Sequence, residues 1–236
     1  MNERVLVDRR GLLRRMGFAG ATLALPVIGS ARPGREGPDE EVAPAEDLMR
    51  EHGVLNRVLL IYEECLRRLR EKPSDVPPRS FAGAARIIRT FIEDYHERLE
   101  EDHLFSRFEK TGRQVDLVKT LREQHRAGRV LTDEMLHLAT EAGFRSPADR
   151  ERLREDVARF IRMYRPHEAR EDTVLFPAFR GIVSKHEYDS LGEDFEKKEH
   201  ELFGKEGFEG IVAKVVAIEK ELQIYDLAKF TPPPVK

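Results

Sequence analysis

One stretch of this chain is written twice, and it restricts the fold more than anything else in the sequence. Residues 96–105 read His-Glu-Arg-Leu-Glu-Glu-Asp-His-Leu-Phe, and residues 167–176 read His-Glu-Ala-Arg-Glu-Asp-Thr-Val-Leu-Phe. The copies share His, Glu, Glu, Leu and Phe at the same offsets, and an acid follows the second Glu in both. Each places a His and a Glu four residues apart, as His96 with Glu100 and His167 with Glu171. On an α-helix such pairs lie on one face, one turn apart. An imidazole and a carboxylate presented together are half of a metal site. Each copy also has an upstream histidine: His52 precedes His96 by 44 positions, and His125 precedes His167 by 42. The pattern is that of a duplicated two-helix unit, each unit giving one His and then His with Glu. Two such hairpins packed face to face make an all-α, up-and-down four-helix bundle, whose core can hold a metal site built from facing helices.

Composition agrees with this and narrows the function. The chain is 36% charged and 40% hydrophobic with no Trp, which suits amphipathic helices around one core. A net charge of −3 without a basic stripe argues against nucleic acid as a partner. The single cysteine, Cys65, excludes an intramolecular disulfide and a cysteine-based zinc or iron–sulfur site. It reads as a small, partly buried helix residue. Gly-rich phosphate loops, a Gly-x-Ser-x-Gly elbow and a zinc-protease His-Glu-x-x-His are all missing.

In chain order, residues 1–31 read as an export signal. Asp8-Arg9-Arg10-Gly11-Leu12-Leu13-Arg14 resembles the twin-arginine motif, an apolar run follows to Gly29, and Gly29-Ser30-Ala31 offers a cleavage site. The apolar run is too short and too rich in Gly and Ala for a transmembrane helix. The expectation is a periplasmic or otherwise exported bacterial protein that meets the twin-arginine export machinery and has no stable membrane insertion once cleaved. A retained N-terminal anchor is the alternative. Residues 32–45, rich in Pro, Gly and acid, read as a disordered linker. Residues 46–181 then form the bundle, with helices predicted at about 45–71, 80–110, 114–141 and 146–179. Gly112 and Gly143 stop the second and third, and Ser146-Pro147 starts the fourth. Pro166, just before His167, is either a tolerated surface proline or a kink that aims His167. Residues 182–236 form an extension with two further helices, at about 184–203 and 206–223, whose apolar faces cover the bundle.

Six residues thus form one constellation: His52, His96, Glu100, His125, His167 and Glu171. With Leu104-Phe105 and Leu175-Phe176-Pro177 behind the two motifs, residues 46–180 resemble hemerythrin-like proteins, the HHE cation-binding group. That resemblance implies a non-haem di-iron centre of two iron ions. Glu100 and Glu171 would bridge, and the four histidines would be terminal ligands. Imidazole with carboxylate suits iron on general grounds as well, and the same donors also accept zinc or manganese. The chain departs from oxygen-carrying members at the second third-helix His, where the candidate positions hold Leu121 and Arg129. Two irons at about six-coordination need about twelve bonds, and this set leaves about two open. The implied function is binding or sensing of oxygen, nitric oxide or iron, with a small diatomic or peroxide as ligand. A di-iron peroxidase or oxidase using the open positions is the alternative, and a helical interaction protein with a structural metal is a third reading. His103, one turn beyond Glu100, is expected to line the pocket, stand behind the ligands or serve as an extra ligand, or else to sit at the rim. Glu100-x-x-His103 and Glu134-x-x-His137 also permit a ferritin-like reading, which leaves the four matched histidines unexplained. His137, His186 and His200 have no matched partners and are expected at the surface.

Overall fold

The computed structural model of the protein describes residues 43–234. The expected signal at 1–31 lies outside the described residues, as does most of the 32–45 linker. Helix α1 spans Pro44–Glu71. Pro44 stands in its first turn with Glu46 and Asp47, and Arg68 and Arg70 in its last, an order that suits the helix dipole. It ends at Lys72, ahead of Pro73. Its buried stripe is Leu48, His52, Leu55, Leu59, Tyr62, Leu66 and Leu69. His52 therefore occupies a core position that an apolar residue would otherwise fill.

Helix α2 runs over 78–111 and alternates between two windings. It is α-helical at Pro78–Ile87, π-helical at Ile88–His96, α-helical at Glu97–Leu99, π-helical at Glu100–Phe105 and α-helical at Ser106–Thr111. The Glu97 N–H bonds back to the Ile92 carbonyl, five residues earlier. Gly112, at φ 68°, closes the helix in the left-handed conformation that glycine adopts freely. Helix α3 spans Val115–Leu138 and buries a narrow stripe of Val118, Leu121, His125, Gly128, Thr132, Met135 and Leu138. His125 sits in this stripe as His52 does in that of α1.

The third helix ends earlier than its sequence suggests. The chain leaves the helix at Ala139, and Thr140 caps a separate short helix, α4, at Glu141–Arg145. The Thr140 hydroxyl accepts from the Gly143 N–H at 3.0 Å. Gly143 belongs to this turn, where an added Cβ would lie 2.2 Å from the Leu138 carbonyl oxygen. Helix α5 covers 147–179, capped by Ser146 with Pro147 in its first turn. It includes one π segment, Glu171–Leu175, before Phe176–Phe179. The helix continues through Pro166, whose ring is exposed, so the proline is carried on the outer face.

Helices α1, α2, α3 and α5 each pack on the next, and α5 closes the ring against α1. Helices α6 (Lys185–Phe203) and α7 (Gly207–Glu221), divided at Gly204, lie across the outside of α1 and α2. Phe203 sets its ring 5.4 Å from those of Phe91 and Tyr95, and Arg57 donates to Glu219 at 2.9 Å. This cover explains why α2 buries residues around most of its circumference. No helix among the described residues is long and apolar enough to cross a membrane.

Candidate metal centre

All six residues of the constellation meet in the bundle core, each at most 4% exposed. They form two groups, His52 with His96 and Glu100, and His125 with His167 and Glu171. The Nε2 atoms of His52 and His96 stand 3.0 Å apart, and those of His125 and His167 3.2 Å. Glu100 reaches both groups, with Oε1 3.6 Å from His96 Nε2 and Oε2 3.5 Å from His125 Nε2. Glu171 does the same through Oε2, 3.1 Å from His167 Nε2 and 3.5 Å from His52 Nε2.

The rest of the duplicated stretch holds these rings in place. Each imidazole uses Nδ1 for a fixed acceptor, which leaves the Nε2 lone pair turned inward. His96 donates to Glu51 at 2.8 Å and His167 to Gln124 at 2.8 Å. His52 donates to Asp172 at 2.8 Å and His125 to Glu101 at 3.1 Å. The first pair of contacts stays within a half of the duplication and the second pair crosses between halves. Phenylalanines cross in the same way, Phe176 stacking on His52 and Phe105 on His125, both at 5.4 Å. The sequence pattern shows Glu101 and Asp172 only as the acid after each motif Glu, without a role, and does not single out Glu51 or Gln124. The signal was present, since an acid follows each motif Glu and an acid or amide precedes each upstream His.

His103 is not brought to the six. It is half-buried with its ring 5.3 Å from Phe195 of α6. The π winding that starts at Glu100 is the reason. Each residue there turns through less than the ~100° of an α-helix, so three residues on lie on a different face. The ferritin-like pairs are not assembled either. The Glu134 side chain is 46% exposed and pairs with Arg152, and His137 is exposed. His186 and His200 are exposed as expected, and Cys65 is fully buried.

The two positions that lack a fifth histidine are filled differently. Leu121 is core. Arg129 places Nη1 2.8 Å from Glu101 Oε1 and Nη2 2.8 Å from Glu97 Oε2. The acid group formed by Glu97, Glu101 and His125 thus already has its cation. Glu97 also accepts from the Tyr164 hydroxyl at 2.6 Å.

The electrostatics of the core call for positive charge. Burial, and next the charge of Glu171, push the Glu100 carboxyl well above its usual range. Burial works the same way on Glu171, but His167 and His52 outweigh it and hold that carboxyl well below. Burial disfavours a charged His52, yet its hydrogen bond to Asp172 and the nearby Glu171 carboxylate, 3.5 Å away, raise it to about 10. Burial, then the neighbouring charge of His52, push His96 well below its ordinary value, since rings 3.0 Å apart cannot both be protonated. All four oxygens of Glu100 and Glu171 are buried and accept no hydrogen bond. Such groups are costly in a core unless a cation meets them. The donor set of four imidazole nitrogens and two carboxylates fits that cation.

A helical bundle whose core holds two facing groups of two imidazoles and a carboxylate is a cation-binding domain. Residues 43–179 match the Hemerythrin HHE cation binding domain, and the chain belongs to that family. A second match, over 118–218, begins on α3, as a duplicated helical unit allows. Uncharacterized proteins of Mycobacterium tuberculosis and Mycobacterium bovis are 48% identical to this chain over 235 residues, covering 96% of it and 91% of their own length. No solved structure matches it.

Proposed function

We propose that this protein is an exported, non-haem di-iron protein that binds or senses oxygen, nitric oxide or iron. The observation that carries the reading is the set of four buried carboxylate oxygens without hydrogen-bond donors, three of which stand 3.1–3.6 Å from the four imidazole Nε2 atoms. Glu100 and Glu171 would bridge two irons, with His52 and His96 on one and His125 and His167 on the other. Bound iron would supply redox chemistry and open positions for a small ligand. The chain itself does the rest. Glu51, Asp172, Glu101 and Gln124 fix the ring tautomers, and Phe105 and Phe176 cover two of the rings.

The test is iron retention. Protein loaded anaerobically with ferrous iron and desalted should keep about two irons per chain, as the two-metal ligand set requires. Glu100→Ala should lower retention of both ions, because it removes one donor from each. Retention of one iron or none by a folded wild-type chain overturns the reading. Peroxidase or oxidase activity is the second reading. It is favoured by Leu121 and Arg129 standing where a further ligand would close the centre, and steady turnover of peroxide with a reductant would establish it. Export rests on Arg9 and Arg10. Changing both to Lys should leave the protein in the cytoplasm, and normal export of that variant would refute the twin-arginine route.

A further inference from the structure

The two halves of the centre match in position but not in charge. Behind His96 stands the carboxylate of Glu51, whereas behind His167, at the equivalent place, stands the amide of Gln124, both at 2.8 Å. Behind His52 stands Asp172, whose hydrogen bonds and ion pairs among the described residues go to His52 alone. Behind His125 stands Glu101, and the same Oε1 that accepts from the ring also meets the Arg129 guanidinium at 2.8 Å. The first-half counterpart of Arg129 is Asn56, a neutral side chain that donates to the His52 carbonyl at 3.2 Å. The bridging carboxylates are shared, and the phenylalanine stacking distances are equal on the two sides. What differs is the shell behind the rings.

We propose that the two metal positions are unequal, the ion between His52 and His96 being held more tightly than the ion between His125 and His167. The inference rests on the metal-binding reading above. A carboxylate that accepts from an imidazole N–H makes the ring a stronger donor and adds negative charge beside the cation. An amide does this weakly. A guanidinium on the accepting oxygen draws the charge back and repels the metal. One position has a carboxylate behind both rings. The other has an amide behind one ring and, behind the other, Glu101 together with Glu97, 3.9 Å from His125 Nδ1, the two sharing the one Arg129 guanidinium.

Calorimetric titration of the metal-free, full-length protein with Co²⁺ tests this. The wild type should bind in two steps whose affinities differ by at least ~10-fold, the usual size of such outer-shell effects. Glu51→Gln should weaken the tighter step by about 10-fold, and Gln124→Glu should strengthen the weaker step by a similar factor. Each change installs the residue type of the other half. Circular dichroism establishes that each variant is folded, and the near-isosteric Glu51→Gln decides the matter if Gln124→Glu does not fold. Two equal steps in the wild type overturn the inference while leaving two-metal binding intact. So does a folded Glu51→Gln protein in which only the weaker step moves. A folded wild type that binds no cobalt removes the metal-binding reading and this inference with it.

Discussion

Glu168 shows what the core charges cost when no metal is present. It follows the ligand candidate His167 and is 6% exposed, and its Oε2 accepts no hydrogen bond. Burial, only partly offset by His52, raises its carboxyl to about 7. Its unfolded value is near 4.5. A raised carboxyl binds its proton better folded than unfolded, so Glu168 costs nothing below the unfolded value and destabilises progressively as pH rises toward 7. At about 1.4 kcal/mol for each pKa unit, the penalty above that window approaches about 3 kcal/mol. Glu168→Gln should raise the melting temperature of the metal-free protein at pH 8 and change it little at pH 4.5. Thermal melts at the two pH values check this, and an equal shift at both would contradict it.

Two glycines on ligand-bearing helices show how elements are spaced. Gly53 follows His52 on α1, is exposed, and would present an added Cβ to open space. Gly128 lies in the buried stripe of α3, where an added Cβ would come 2.1 Å from the Tyr164 hydroxyl and 2.8 Å from its Cζ. The close approach of α3 to α5 depends on that missing side chain, and it lets Tyr164 reach Glu97. Gly53→Ala should therefore stabilise by about 0.8 kcal/mol through helix propensity alone. Gly128→Ala should destabilise by about 1–3 kcal/mol through overpacking. Opposite signs in denaturant melts are the expected result. A neutral Gly128→Ala would mean that α3 and α5 can separate without loss.

At the scale of the molecule, α6 and α7 brace the bundle from outside and contribute none of the six candidate ligands. Phe195 of α6 is fully buried, and its carbonyl accepts from the Tyr95 hydroxyl at 3.4 Å. Phe195→Ala should cost about 3–5 kcal/mol, the usual loss when a core aromatic is truncated. Below its melting temperature the variant should still hold its metal, and metal loading should raise the melting temperature of both proteins by preferential binding to the folded state. Melts with and without iron, together with iron-to-protein ratios, measure this. Loss of metal from a folded Phe195→Ala chain would show that the extension shapes the centre.

The all-α fold, the four-plus-two order of helices and the six residues of the constellation were legible in the sequence. A duplicated His-x-x-x-Glu at matched spacing leaves helical periodicity little choice of face. Local chemistry marked several ends in the same way, as at Gly112 and Ser146. The winding of α2 was not legible. A π turn follows from how a helix is packed on several sides at once, and neither propensity nor spacing records it. It carried His103 away from the site and toward α6. The early end of α3 depended on the Thr140 cap and the close approach of Gly143 to the Leu138 carbonyl. The support behind the rings was hidden for a related reason. Glu51, Glu101, Gln124 and Asp172 look like ordinary polar positions on amphipathic helices. Only the crossing of the two halves, which sets Asp172 against His52 and Glu101 against His125, turns them into part of the centre.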